Sequence, residues 1–323
     1  MSSKFRVLSL SGGGIRGVYT ASFLAKLEEL TGKRVADHFD LIVGTSTGGL
    51  IALAMGLEQS PASIRDFYLT SGSLIFPQAS RVKRLFRGEQ FIYPKYATVG
   101  LRDAVQKRLG SEPTLGKSVK PLVVNTFNAA KGAPQCFKTR HHARYLNDWR
   151  MPAWEVGMAT AAAPVFFRAF QSDTGSDFID GGVWANCPVL VGVIEAISAF
   201  GKAGTDVDVL TVGTTRTPFS VAHDARTGGA WQNVSMLNHR VIDLLMEASR
   251  ASAMNMAQLL VGKDGLMEID SVVEPGRFEM DDTAAHKLRD LRALGENLAQ
   301  TKADEIKSRF LATLAAPFTP IPM

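Results

Sequence analysis

The sequence is poor in cysteine and lacks a long uninterrupted hydrophobic run. Cys136 and Cys187 are the only cysteines among 323 residues. Two are too few for a disulfide framework or a cysteine-built metal site, and they favour a reducing compartment. Residues 41–57 carry no charge, but glycines and threonines interrupt them, so a buried strand and helix explain them better than a membrane span. The apolar run before Ser11 is too short for a signal peptide. These features predict a soluble, cytoplasmic protein.

A strong charge of either sign is also absent. The net charge of +5 over the whole length suits anionic surfaces or ligands, but it does not indicate a nucleic-acid polymer as a partner. With 46% hydrophobic and 21% charged residues, the composition is typical of a chain that folds around a core. Because no repeat, low-complexity tract or linker interrupts the sequence, residues 1–323 are predicted to form a single domain.

The clearest chemical signal lies in residues 41–56, which read LIVGTSTGGLIALAMG. A G-x-S-x-G between an apolar strand and an apolar helix is the nucleophile-elbow pattern. Side chains at Gly44 and Gly48 would collide with neighbouring backbone in so tight a turn. Ser46 is therefore the predicted nucleophile. The alternative is a turn of small residues without chemistry.

Strand and helix patterns alternate along the chain. A strand at Phe5–Leu10, a glycine loop, a helix to about Leu30, and the elbow follow one another closely. This alternation predicts an α/β fold with a mainly parallel central sheet sandwiched by helices. Further strands are predicted at 119–127, 135–139, 178–179 and 207–213, and helices at 60–68, 101–109, 189–200, 236–260 and within 283–314. The portion from about 230 to 318 is thus predicted to be helical.

The loop SGGGIRG at residues 11–17 has two interpretations. It fits the dinucleotide-binding pattern G-x-G-x-x-G through Gly12, Gly14 and Gly17. That pattern needs an acidic residue at the end of the second strand, where the sequence instead runs into Ser46. A nucleotide-binding protein that uses this loop is therefore kept as an alternative function.

In the second interpretation, successive N–H groups of the loop form a nest for an anion, including a transient oxyanion. The donors are then the amides of Gly12, Gly13 and Gly14. Arg16 would position the loop or assist the oxyanion. We favour this interpretation.

A serine nucleophile needs a base. The segment FIDGG at 178–182 resembles a short strand and tight turn that presents Asp180. An exposed carboxylate with a pKa near ~3.9 is a weak base, but burial beside apolar residues would raise that pKa. A Ser46–Asp180 dyad is therefore predicted, with His223 or His239 as alternative bases. No metal and no cofactor is predicted.

These motifs together resemble those of the patatin-like phospholipases. Residues 11–17 are similar to the family's glycine-rich oxyanion motif, GTSTG at 44–48 to its elbow, and DGGVWANCP at 180–188 to its aspartate segment. The motifs come in the family's order within roughly residues 5–215. The resemblance implies helices around an α/β sheet, a Ser–Asp dyad without a catalytic histidine, and hydrolysis of acyl esters in membrane glycerophospholipids. An esterase or thioesterase acting on soluble esters is the remaining rival.

The opening RVLSLSGGGIRGVYTASFLAKLEE at 6–29 is similar to bacterial effector phospholipases of cyclic-oligonucleotide anti-phage defence. This resemblance implies activation by a cyclic dinucleotide, since an enzyme that degrades its own membrane must usually be silent. Guanidinium groups pair well with phosphate. Candidate contacts are Arg140, Arg144, Arg240 and Arg250. None of them is assigned as a site, and a homo-oligomer is left open.

Residues 81–96 mix basic and aromatic side chains. Arg81, Lys83, Arg84 and Arg87 lie close to Phe86, Phe91, Ile92 and Tyr93. Such a mixture suits a surface that contacts anionic lipid headgroups, and the alternative is an ordinary solvated loop. We therefore expect peripheral action on the inner face of the membrane.

Overall fold

A central β-sheet organises the part of the chain that the computed structural model describes, which is residues 4–77, 94–217 and 240–322. The strands are β1 (Phe5–Leu10), β2 (Leu41–Thr45), β3 (Leu122–Asn128), β4 (Ala133–Lys138), β5 (Phe170–Gln171), β6 (Asp177–Asp180), β7 (Val207–Val212) and β8 (Leu266–Ile269). Hydrogen-bonded pairing connects them in the path β5–β6–β3–β2–β1–β7–β8, and β4 also pairs with β3. Neighbours among β3, β2, β1, β7 and β8 are parallel, whereas β4, β5 and β6 are antiparallel to their partners. The prediction of a mainly parallel sheet is confirmed.

Helices cover both faces of this sheet. They are α1 (Gly17–Thr31), α2 (Thr47–Gly56), α3 (Pro61–Ile75), α4 (Thr98–Leu109), α5 (Ala153–Ala161), α6 (Gly182–Ala185), α7 (Val189–Phe200), α8 (Arg240–Val261) and α9 (Ala285–Arg309). Short 3-10 turns occur at Gly14–Arg16, Val35–His38, Leu115–Lys117, Asp148–Arg150, Gly204–Asp206 and Lys263–Gly265. Among the described helices, none combines the length and the apolar character needed to cross a membrane.

Alternate residues of the central strands enter two separate cores. Leu8 and Ile42 belong to the larger core, while Val7 and Val43 belong to the smaller one. Successive side chains of a strand point to opposite faces, so a strand covered on both faces must be apolar throughout. This requirement explains why apolar residues of β1 point to both faces, and every residue of this strand is buried, including Arg6 and Ser9.

The C-terminal portion packs onto the same core. Gly295 of α9 lies so close to α1 that an added Cβ would approach the Tyr19 carbonyl oxygen to 2.4 Å. Leu291 and Ile306 of α9 are buried in the larger core. The C-terminal portion is mainly helical, as predicted, but Leu266–Ile269 forms a strand that was not predicted, which pairs in parallel with β7 and extends the sheet.

One edge of β3 is shared by two strands that meet end to end. Strand β4 pairs with β3 from Val123 to Asn128 and so occupies one edge. A strand has only two edges, so β2 and β6 must both lie on the other. Thr45 pairs there with Asn125, and Asp180 pairs with the next residue, Thr126. The last residues of β2 and β6 are thereby brought together.

Candidate active site

The elbow between β2 and α2 has the strained conformation that its sequence predicts. Ser46 has a φ of 55°, a backbone region that non-glycine residues seldom adopt. A Cβ added at Gly44 would lie 2.4 Å from the Gly48 carbonyl oxygen. A Cβ added at Gly48 would lie 2.1 Å from the Leu10 carbonyl oxygen. Both glycines are therefore required by close backbone approach. Strand, sharp turn and helix follow in the predicted order.

A buried threonine holds the elbow from behind. The Ser46 amide donates to Thr160 Oγ1 at 2.9 Å, and the Thr160 hydroxyl donates to the Asn125 carbonyl at 2.5 Å. Thr160 lies in α5 and is fully buried. Sequence reasoning missed this residue, since the only signal was a hydroxyl within a helix of small residues. It links the nucleophile's backbone to β3.

Asp180 is the partner of the Ser46 hydroxyl, which donates to Asp180 Oδ2 at 2.5 Å. The other carboxylate oxygen accepts from the Gly182 amide at 2.6 Å. Only 4% of Asp180 is exposed. Burial raises the pKa of Asp180 to about 6, although its hydrogen bonds with Ser46 and Gly182 act in the opposite direction. The carboxylate is therefore a stronger base than an exposed aspartate, yet it is ionised at neutral pH.

The glycine loop lies beside Ser46, but its members differ in role. The Gly12 amide donates to the Asn186 carbonyl at 3.0 Å. The predicted oxyanion role of Gly12 is therefore corrected, because its donor is already engaged. Gly13 and Gly14 line a cavity together with Ser46. Within the described ranges, their amides donate to no other backbone carbonyl.

Arg16 contacts the loop rather than that cavity. Its Nε donates to the Gly13 carbonyl at 3.3 Å, and its Nη1 donates to the Thr215 carbonyl at 3.4 Å. Of the two roles considered for Arg16, positioning the loop agrees with these contacts.

The same packing argues against a dinucleotide-binding loop. A Cβ added at Gly12 would lie 2.4 Å from Asn186 Oδ1, and a Cβ added at Gly17 would lie 2.3 Å from Thr47 Oγ1. At Gly14 the Cβ would lie 2.3 Å from the Met280 carbonyl oxygen. Protein atoms thus occupy the close approach that a pyrophosphate needs in a nucleotide-binding loop.

An apolar cavity of about 200 Å³ opens at Ser46 and Asp180. Most of its lining is hydrocarbon, including Leu50, Ile75, Phe76, Leu101, Phe166 and Phe167. Phe76, Phe166 and Phe167 also pack on one another or on Tyr96. An apolar pocket with a few convergent polar groups is typical of a ligand site. This one suits an acyl chain whose ester lies at Ser46.

Among the arginines considered for phosphate binding, the three with described side chains each have different partners. Arg250 pairs with Glu247 and Glu268, at 2.7 Å each. Arg140 packs over Trp149, and exposed Arg144 packs over Tyr145. The Arg240 side chain, His223, His239 and the basic residues from Arg81 to Arg87 lie outside the described residues.

Comparison with known proteins agrees with this geometry. A family model described as "Patatin-like phospholipase" matches residues 8–193. A Pseudomonas aeruginosa protein named "cGAMP-activated phospholipase" is 33% identical over 304 residues, which cover 92% of this chain and 88% of the relative. A Vibrio cholerae protein of the same name is 33% identical over 250 residues, or 71% of this chain and 69% of that one. Among solved structures, VipD from Legionella pneumophila matches with a TM-score of 0.46 and 15% identity, covering 94% of this chain and 67% of that chain.

Proposed function

The chain belongs to the patatin-like phospholipase family, and on this premise we propose that a Ser46–Asp180 dyad carries out its reaction and that a cyclic dinucleotide controls it. The protein is a lipid acyl hydrolase. The observation that carries the dyad is the 2.5 Å contact between Ser46 Oγ and Asp180 Oδ2 at the end of an apolar cavity.

In the first half of the reaction, Asp180 accepts the hydroxyl proton as Ser46 Oγ attacks the ester carbonyl. The carbonyl oxygen becomes negatively charged, and the amides of Gly13 and Gly14 donate to it. The carbon–oxygen bond to the glycerol then breaks, and Asp180 returns the proton to the leaving alcohol. The products are a lysophospholipid and an acyl group on Ser46.

In the second half, water is the nucleophile. Asp180 takes a proton from water as its oxygen attacks the acyl carbonyl, and the same two amides stabilise the oxyanion. Ser46 Oγ then leaves and recovers the proton from Asp180, which releases a fatty acid. A pKa of about 6 suits both directions of transfer, since proton donors and acceptors work best when their pKa is near the working pH.

Apolar side chains around the cavity support contact with a bilayer. Pro164 and Val183 line the cavity, and Val165 beside it is 45% exposed. Val165 also has a φ of 72°, which is a strained conformation for a β-branched residue. Exposed apolar residues beside a binding cavity fit a peripheral membrane surface. The basic segment proposed from the sequence lies outside the described residues and stays a prediction.

Activation by a cyclic dinucleotide is proposed from the relatives, which are named cGAMP-activated phospholipases. Such a ligand acts by binding the active arrangement more tightly than the resting one. A switched effector in anti-phage defence, as the sequence resemblance implies, would need this control.

The proposal is tested by lipid product analysis with phospholipid vesicles, with and without cGAMP. The wild-type protein should release fatty acid and lysophospholipid when cGAMP is present, and Ser46→Ala should release neither. A short soluble ester is assayed in parallel. Turnover of that ester alone would favour the esterase rival. Full vesicle hydrolysis without nucleotide, together with no nucleotide binding, would contradict the switch.

A further inference from the structure

A second, smaller cavity of about 60 Å³ lies on the other side of the glycine loop. Gly13 and Gly14 face the apolar cavity, whereas Gly12 and Arg16 face the second one. Asn186 lines both cavities. The two cavities therefore share a wall, and part of that wall is the proposed oxyanion loop.

Three residues that line this cavity each carry a buried polar atom with no hydrogen-bond partner among the described residues. These atoms are Asn186 Oδ1, Thr215 Oγ1 and Arg216 Nε, and their residues all line the cavity. Thr215 is only 4% exposed. An unpaired buried polar group is costly, and such groups are few in folded proteins. Three around a single cavity indicate a site that a polar ligand completes.

The backbone at Thr215 is strained as well. Its φ is 80°, which is unusual for a β-branched residue. Hydrogen bonds hold it in place, because its amide donates to Asp270 Oδ1 at 2.9 Å and the next amide, of Arg216, donates to the Ser271 carbonyl at 3.0 Å. Strain that the surroundings maintain in this way is concentrated at functional sites.

Arg216 is the cation of the lining that can meet an anion. Arg16, Arg216 and Arg250 line the cavity with two carboxylates, Glu247 and Asp270. Arg250 is held by Glu268 as well as by Glu247, whereas no ion pair among the described residues involves Arg216. Glu247 pairs with Arg250, and Asp270 accepts from backbone amides.

We propose that this cavity binds one phosphate group of the activating cyclic dinucleotide. The inference rests on the proposed nucleotide control. Phosphate oxygens would accept from the Arg216 guanidinium and the Thr215 hydroxyl. The cavity has room for a single phosphate group, so the rest of the nucleotide lies at its mouth.

The same contacts connect this site to catalysis. Thr214 Oγ1 donates to the Gly12 carbonyl at 3.0 Å, and Arg16 Nε donates to the Gly13 carbonyl at 3.3 Å. A phosphate that engages Thr215 and Arg216 fixes the segment that carries Thr214. It thereby fixes the glycine carbonyls and the direction of the Gly13 and Gly14 amides. Binding on one side of the loop thus favours an oxyanion hole on the other.

The test measures cGAMP binding by calorimetry in a Ser46→Ala background, so that the result does not depend on catalysis. Arg216→Gln should weaken binding about 10- to 100-fold, the range expected for a lost charge-assisted hydrogen bond. Thr215→Gly tolerates the φ of 80° and removes the hydroxyl together with the rest of the side chain, and it should weaken binding about three- to tenfold. Arg289→Gln, a change at an exposed arginine of α9 that does not line the cavity, is the matched control and should bind like the parent.

The possible results distinguish a failure of this binding site from a failure of the proposed nucleotide control. Binding of cGAMP that neither variant weakens would overturn the site and leave nucleotide control intact. If inorganic phosphate binds in an Arg216-dependent manner but cGAMP does not bind, the anion site stands and the nucleotide proposal falls. If Arg216→Gln instead raises KM for phospholipid vesicles without nucleotide, but not for a soluble ester, the anion is a lipid headgroup and the regulatory inference is overturned. Thermal unfolding of each variant confirms that it is folded.

Discussion

The Ser46 hydroxyl donates to the Asp180 carboxylate at 2.5 Å, although 134 residues separate the two in the chain. Strand β3 brings them together, since Thr45 pairs with Asn125 and Asp180 pairs with the adjacent Thr126. The geometry of the dyad therefore depends on the register of two strands on one edge of β3. A one-residue slip of β6 would turn Asp180 to the opposite face of the sheet.

Replacing either member of the dyad should abolish most of the activity. Ser46→Ala and Asp180→Asn are each expected to lower kcat by several orders of magnitude, because proton transfer and attack act as a unit. The double variant should be little worse than either single one. Single-turnover assays on a soluble ester measure these effects. Full activity in Asp180→Asn, with His223→Ala or His239→Ala inactive, would replace the dyad with a histidine triad.

The pH dependence of kcat/KM should report the pKa of Asp180. Only the ionised carboxylate can accept the serine proton. Activity should thus fall about tenfold per pH unit below a pKa of about 6 and be level above it. Repeating the profile at two temperatures identifies the group, since a carboxyl pKa hardly changes with temperature whereas an imidazole pKa falls. A midpoint that falls on warming would indicate a histidine base.

Asp180→Asn should also make the protein more stable at neutral pH. The pKa of Asp180 is near 3.8 in an unfolded chain and about 6 in the fold. Between these values the folded state binds a proton that the unfolded state does not, so stability falls as pH rises through this window. Above pH 6 the full cost of the buried charge is present, about 3 kcal/mol.

The asparagine variant lacks this cost, so its melting temperature should exceed that of wild type at pH 8 and approach it near pH 4. Burial also raises the pKa of Asp270 to about 6. Asp270 is present in both proteins, so its contribution to the pH dependence of stability cancels in the comparison. Calorimetric melting curves at the two pH values check this. A stability difference that is independent of pH would contradict the assigned pKa.

Gly14→Ala should reduce turnover more than substrate affinity. The new Cβ would approach the Met280 carbonyl oxygen to 2.3 Å, at a φ of 59°, so the loop must move and its amide with it. Loss of one oxyanion donor typically lowers kcat about 100- to 1000-fold. Gly132→Ala is the matched control, since it has a φ of 63° with nothing within 4 Å. Gly132→Ala should lower stability, because alanine is strained in the left-handed conformation, but it should leave turnover unchanged. Wild-type kcat in folded Gly14→Ala would exclude this role.

Val165→Gly should separate stability from membrane binding. Glycine relieves the strain of a φ of 72°, so the melting temperature should stay equal or rise. Loss of an exposed apolar side chain beside the cavity should weaken vesicle binding in a sedimentation assay. Leu314→Asn is the control, since Leu314 is an apolar residue that is 70% exposed. It lies far from the cavity, because the next residue, Ala315, donates to the Asp37 carbonyl near the start of β2, whereas Ser46 follows the end of β2. Equal losses in both variants would show that the Val165 rim has no special contact with lipid.

Local pattern was sufficient for several features. The bounds of β1 and α7 agree with prediction, since predominantly apolar residues bounded by glycine, proline or polar residues define a buried strand or helix. The elbow could also be read locally, because the steric demand for glycine on both sides of Ser46 arises within a few residues. The resemblance of three short motifs was then enough to indicate the family.

Other features depend on contacts between distant residues. Strand β8 was missed because LMEI has no strong alternation and becomes a strand only by pairing with β7. Thr160 has no motif of its own, and the aspartate segment that contains Asn186 assigned it no role. Yet Thr160 holds the Ser46 amide, and the Asn186 carbonyl takes the Gly12 amide out of the oxyanion hole. The pKa of Asp180 follows from its burial, and the second cavity exists only where the segment after β7 meets the glycine loop. The sequence thus determined which groups are proposed to react, because that information lies in short steric patterns. The tertiary structure decided which amides face the substrate and how basic the carboxylate is, because burial and hydrogen bonding are set by residues far apart in the chain.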